Sequence, residues 1–183
     1  ETGDVACAGT MLLDKNGEIV HSYAKFPSMK NSILNASLNV VLWKLHILKA
    51  LPSTNNYQYD EFKANSFFDV DYITGADLMV RKEVADKHGL FDPDFFMYYE
   101  ESEMEHRYMK QGLRRVIIQG PNIIHLEGKS NKKHSPRRVS MVMRGQFTYF
   151  RKSSSPLSYG LYKVIYKTAY IITYIICLPF VHG

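Results

Sequence analysis

Along the chain, apolar positions change rhythm several times, and each change predicts an element. "VACAGTMLLD", "KNG" and "EIVHSYAK" read as two strands of a hairpin, with Asn16-Gly17 as the turn dipeptide. Residues 33–51 switch to helical spacing, with a stripe of Leu34, Leu38, Val41, Leu42, Leu45 and Leu48 and a stop at Pro52. "FFDVDYITGADLMVRK" predicts a strand running into Gly75, then a second apolar stretch and a short helix over 82–88 capped by Gly89. "FFMYY" at 95–99 predicts a buried strand, and "ESEMEHRYMKQG" a helix ending at Gly112. "RRVIIQGPNIIHLEG" predicts one or two short strands broken at Gly120-Pro121. Residues 135–152 predict an amphipathic helix through Val139, Met143, Phe147 and Phe150. "SSSP" at 153–156 reads as a linker before an apolar tail.

Strands alternating with helices indicate an α/β domain. The opening hairpin takes the place of a βαβ unit, and no Gly-rich phosphate loop is present. The usual nucleotide-binding half is expected to be missing, and both ends read as truncated. Composition is that of a folded protein: 45% hydrophobic, 22% charged and 13% aromatic. The two cysteines, Cys7 and Cys177, have no metal-type spacing and read as free thiols.

Charge is divided unevenly. Residues 129–183 hold ten Lys and Arg with no Asp or Glu, whereas 1–128 hold thirteen basic and eighteen acidic residues. A nucleic-acid binder would be basic throughout, so that class is set aside. A basic, apolar tail on an acidic body points to an anionic membrane surface. "TAYIITYIICLPFV" is a 14-residue run, short of the roughly 20 needed to span a bilayer. A membrane-surface helix, a truncated spanning helix and a core helix all remain open readings.

The segment "GLFDPDFFMYYEESEMEHRYMKQG" sets aromatics directly against carboxylates. A carboxylate buried behind aromatics gains proton affinity, as a group that handles a proton requires. Acids in a first helical turn also complement the helix dipole, which is reason enough for them on composition alone. Glu105 is left to that role, and Glu103 has Arg107 one turn later as an ion-pair partner.

"TGADLMVRKEVADKHGLFDPDFFMYYEESEMEHRYMKQG", followed by "PNIIHLEGKS", resembles the C-terminal half of a bacterial family-2 glycosyltransferase, of the rhamnosyltransferase-like branch. The resemblance covers about residues 4–152. It implies the C-terminal, acceptor-side half of a GT-A glycosyltransferase domain over 1–152, a mixed sheet with flanking helices. A linker and an apolar membrane-associated helix over 153–183 would complete the chain. The implied activity is transfer of a sugar from a nucleotide-diphosphate sugar to a saccharide or lipid-linked acceptor, with inversion, in surface polysaccharide synthesis. The implied location is the cytoplasmic face of the inner membrane, peripheral or anchored at the C-terminus.

Carried over residue by residue, the resemblance makes Glu101 the catalytic base, with Glu100 as the first acid and Glu103 as a further acid. The family carries Asp where this chain has Glu101. Gly75, Ala76, Asp77, Arg81 and Tyr98 are the implied substrate-binding residues. His125 is the implied ligand of a divalent metal, Mn²⁺ or Mg²⁺, of which imidazole favours Mn²⁺. The basic loop over 128–138 either closes over the diphosphate or is simply solvated. "DVD" at 69–71 has the spelling of the family's metal motif but comes too late in the order to be it. The alternative is a non-catalytic carbohydrate-binding or membrane-docking remnant of the fold. Under either reading this chain alone is expected to be inactive.

Overall fold

The computed structural model describes residues 3–44, 66–126 and 136–177. The chain falls into two compact units, one from 1–26 and 57–153, the other from 27–56 and 154–183.

The first unit is built on a mixed sheet. Strand β1 (Val5–Leu13) is apolar without alternation and buried on both faces, as a central strand requires. It pairs in parallel with β6 (Arg114–Ile124) and antiparallel with β5 (Met79–Val80), while β3 (Phe67–Asp69) pairs antiparallel with the far side of β6. The order is β3-β6-β1-β5. A second ribbon joins β2 (Tyr23–Ala24) to β4 (Tyr72–Ile73). Ala6, Cys7, Met11, Ile73, Met104, Tyr108 and Ile117 form the shared core under this sheet.

The Asn16-Gly17 turn forms as expected, with Gly17 at φ 84° and the Asp14 carboxylate accepting the amides of Asn16 and Glu18. The hairpin's second strand does not. After a single bridge from Leu13 to Ile19, the Ser22 hydroxyl accepts the Leu12 amide, and the chain turns away to pair with β4 instead. A side chain thus satisfies the backbone group that a continued ladder would have used.

Helix α2 (Lys82–His88) occupies the expected span, and Gly89 ends it at φ 75° with its amide on the Ala85 carbonyl. Helix α3 (Glu100–Met109) follows, with Gly112 at φ 75° in the turn beyond it. Strand β6 runs through Gly120-Pro121 as one strand. A register shift absorbs the break: Thr10 faces Ile118, but Met11 faces Asn122. Helix α4 (Pro136–Ser153) matches the amphipathic expectation, but Tyr149, Phe150 and Gly145 are its buried residues, and Val139 is half exposed.

"FFMYY" is not a strand. Asp92 folds the chain back by accepting the Phe95 amide on its carbonyl and the Asp94 amide on its side chain. Tyr98 and Tyr99 then take left-handed backbone angles, φ 70° and 72°. Of the run's large residues only Phe95 is buried; Phe96 is 79% exposed.

The second unit holds α1 (Met29–Lys44) and α5 (Pro156–Cys177), which pack on each other. Helix α1 begins four residues before the expected 33, and Leu34 of its expected stripe is 41% exposed. Leu45, Leu48 and the stop at Pro52 lie outside the described residues, as do the side chains of Leu38, Val41 and Leu42. Helix α5 starts at a Ser155 cap, whose hydroxyl accepts the Ser158 amide. It buries Tyr162, Tyr166 and Thr173, and the Tyr162 hydroxyl bonds Ser32 of α1 at 2.8 Å. Its opposite face leaves Leu157, Leu161, Val164, Ile171 and Ile175 exposed. Among the described residues no helix is long and apolar enough to cross a membrane.

Candidate active site

The site forms where β4 ends and α3 begins, both in the first unit. Strand β4 leads into a turn at 74–77, whose Gly75 and Ala76 are exposed. A Cβ built on Gly75 would meet only open space. Helix α3 brings Glu101 against this turn. The Gly75 amide and the amides of Glu101 and Ser102 act on its carboxylate.

Burial is the largest influence on Glu101 and raises its pKa; the Glu100 charge pushes the same way, and the amides oppose both. Oε2 of Glu100 and Oε2 of Glu101 are both buried and meet no hydrogen-bond partner among the described residues. Buried polar atoms are nearly always satisfied, so these two oxygens call for an explanation: strain, a chemical role, or a bound water or ion. Tyr72 closes another side, its hydroxyl pKa pushed up to about 12 by burial and then by the Glu101 charge.

Three acids in the first turn of α3, Glu100, Glu101 and Glu103, do lie where the helix dipole favours them. Beyond that their fates differ. Glu103 is buried against Arg107, which bonds it at 3.2 Å and also donates to the carbonyls of His88 and Leu90. It ties α3 to the end of α2. Glu105 is not on a solvated face: it is fully buried, and both its oxygens accept the Ile73 amide at 3.1 Å.

The remaining expected residues are placed as follows. Asp77 accepts the Thr10 amide at 2.7 Å and the Thr10 hydroxyl at 2.6 Å, so it pins the glycine turn to β1. Gly9 permits that approach, since a Cβ there would sit 2.6 Å from the Asp77 carbonyl oxygen. Arg81 donates to the Gly3 carbonyl. Tyr98 lies beneath the Arg138 guanidinium, 5.8 Å from its ring centre. The "DVD" acids are structural: Asp69 pairs with Arg114 at 2.8 Å, and Asp71 accepts the Phe26 amide. Tyr72 and Thr10 are site neighbours that sequence spacing did not point to, whereas Arg138 belongs to the basic 128–138 stretch already singled out.

Helix α4 holds the loop before α3 in place. Lys152 reaches Asp92 at 2.7 Å and Asp94 at 2.9 Å, and Arg151 reaches Asp94. Gly145 lets the Tyr98 carbonyl approach so closely that a Cβ would lie 2.5 Å from its oxygen. Beside this contact is a small cavity of about 70 Å³, bounded by Phe96, Met97, Met141 and Arg144.

His125 follows β6, its amide on the Leu13 carbonyl and its side chain half-buried. No three His, Cys, Asp or Glu side chains converge among the described residues. These residues therefore do not make a metal site by themselves, and a bound ion would need ligands besides His125.

In outline this is an α/β unit in which an exposed glycine turn lies against a carboxylate that is largely buried and has one oxygen without a hydrogen-bond partner among the described residues. The chain is similar to the N-acetylglucosaminyl-diphospho-decaprenol L-rhamnosyltransferases of two Mycobacterium tuberculosis strains, CDC 1551 / Oshkosh and H37Rv, at 25% identity over 130 residues in each. The match covers 71% of this chain and 38% of the length of those curated relatives. No family model matches. The similarity supports a glycosyltransferase-like relationship.

Proposed function

We propose that this chain carries the acceptor-side, base-bearing part of a glycosyltransferase of the GT-A type, family 2, in which Glu101 is the general base. The observation that carries the reading is the buried Glu101 oxygen without a hydrogen-bond partner, on a carboxylate held against the exposed Gly75 turn. An acceptor hydroxyl crossing that turn gives its proton to Glu101 as its oxygen bonds the anomeric carbon. The bond from that carbon to the diphosphate breaks, and the nucleotide leaves from the opposite face with its electron pair. Attack from opposite the leaving group inverts the anomeric centre. Removing the proton in the transition state contributes roughly 100- to 10,000-fold in such reactions. Burial raises the proton affinity of Glu101 toward the working range of a base.

The donor is a nucleotide-diphosphate sugar and the acceptor a saccharide or lipid-linked saccharide. The relatives' printed name, with its diphospho-decaprenol acceptor and rhamnosyl transfer, supports a lipid-linked acceptor. Exposed Phe96 offers a ring face for an acceptor sugar. A divalent ion would neutralise the donor diphosphate, with His125 as the ligand this chain supplies. The exposed apolar face of α5, next to Lys163 and Lys167, would rest on an anionic membrane surface, the setting in which lipid-linked acceptors are found.

The test is turnover of a panel of UDP-, GDP- and dTDP-sugars by the complete polypeptide carrying this chain, and by its Glu101→Gln variant. Gln keeps the size and removes the proton acceptor. Turnover should fall by about 100-fold or more with donor affinity unchanged. Near-normal turnover in the variant would remove Glu101 from the role.

A further inference from the structure

Glu105 lies one turn beyond Glu101 on the same face of α3, and the proton transfer gives it no task. Its burial is complete. A carboxyl group placed there costs more than an apolar side chain of similar volume unless its hydrogen bonds are needed. The bonds it makes go to one backbone group, the Ile73 amide, which both oxygens accept at 3.1 Å. Ile73 is the last residue of β4. Next in the chain are Thr74, whose amide is held by the Ser22 carbonyl, and then Gly75, whose amide faces Glu101.

We propose that Glu105 is a positioning residue that clamps the end of β4 to α3, so that the Gly75 turn is held at a fixed distance from Glu101 on the same helix. The inference rests on Glu101 being the proton acceptor. Two carboxylates one turn apart then divide the work, one gripping the strand and the other lying against the Gly75 turn. The groups around Glu105 suit a clamp. Burial pushes its pKa up to about 9; the Ile73 amide and the Arg115 guanidinium lower it, and the Glu101 charge raises it. Cys7 on β1, Tyr72 on β4 and Tyr108 on α3 are further titratable neighbours, each raised first by burial and also by the Glu105 charge.

The test compares Glu105→Met, which keeps the volume and loses the acceptor, with Glu105→Gln, which keeps an acceptor oxygen. In the complete polypeptide, kcat and donor KM are measured together with hydrogen exchange of the amides at 73–76. Glu105→Met should lower kcat by roughly 10- to 100-fold, the cost of a displacement of up to 1 Å at the reacting group. Its donor KM should stay within about threefold, and the 73–76 amides should exchange at least about tenfold faster. Glu105→Gln should restore both to within about threefold of the parent. Unchanged exchange at 73–76 in a folded Glu105→Met protein would overturn the clamp. Faster exchange with full turnover would uphold the clamp and sink the assignment of Glu101 as base. Should Glu105→Met not fold, Glu105→Gln decides: protected amides with near-parent turnover support the clamp. A loss of about tenfold or more with those amides still protected overturns it.

Discussion

Replacing Gly145 by Ala sets two effects of opposite sign against each other. Gly145 lies inside α4, where exchanging Gly for Ala favours the helix by about 1 kcal/mol. Here the new methyl would sit 2.5 Å from the Tyr98 carbonyl oxygen, 3.1 Å from Cδ2 of Tyr99 and 3.3 Å from the Tyr98 carbonyl carbon. Two of these three atoms are backbone and cannot swing aside. The backbone they belong to is already unfavourable, because left-handed angles at two successive tyrosines cost about 1–3 kcal/mol each. Overpacking of a filled site costs about 1–3 kcal/mol and more when backbone must move. The clash therefore wins, and Gly145→Ala should be destabilised by about 1–2 kcal/mol net. For a chain of this size that lowers Tm by roughly 2–8 °C. Urea unfolding followed by circular dichroism, with Tm from calorimetry, measures it. Gly160→Ala is the control: Gly160 is inside α5 with nothing within 4 Å of a Cβ. It should be neutral or gain up to about 1 kcal/mol. If Gly145→Ala were as stable as its parent, the 98–99 turn would not be packed on α4 as described.

Two further outcomes follow from the site and the tail. A base works deprotonated, and burial raises the pKa of Glu101 above its ordinary 4.5, so kcat/KM should rise with pH through a value above the usual carboxylate range. Glu100→Gln removes a charge that pushes Glu101 up, so the acid limb should move to lower pH; a limb that stays or moves upward would count against the coupling. Leu161→Glu with Val164→Glu, on the exposed face of α5, should abolish binding to phosphatidylserine vesicles without unfolding the α1–α5 pair. Equal sedimentation of parent and variant with such vesicles would dismiss membrane docking by this face.

The parts of the fold legible in the sequence are those whose signals are local. Helix α2 sits between Lys82 and Gly89 because a glycine in the left-handed region ends it, and α3 and α4 follow from their own spacing and end signals. The hairpin was half legible: the turn is local, but the choice of Tyr23–Ala24 to join β4 depends on Ser22 and on a strand some fifty residues away. "FFMYY" misled because its composition favours a strand, whereas contacts with α4 hold two tyrosines in angles that composition does not advertise. For the site, the order Gly75-Ala76 before Glu100-Glu101 could be read directly, and the structure brings the two segments together. Glu105 could not be read, because a fully buried carboxyl and a dipole-complementing one look alike in sequence.

The pairing of β1 with β6 has a consequence for biogenesis. Val5 finds its parallel partner at Arg114, and Leu13 finds its own at Ile124. During synthesis, an apolar strand meant for the middle of a sheet therefore leaves the ribosome long before the strand that flanks it in parallel. Until β6 emerges, the side of "VACAGTMLL" that β6 will cover is an unpaired edge of the kind that associates with other chains. Nascent chains stalled before Arg114 should lean on holding chaperones, and release should coincide with emergence of β6. Truncations ending short of β6 would then accumulate as aggregates rather than as smaller folded domains.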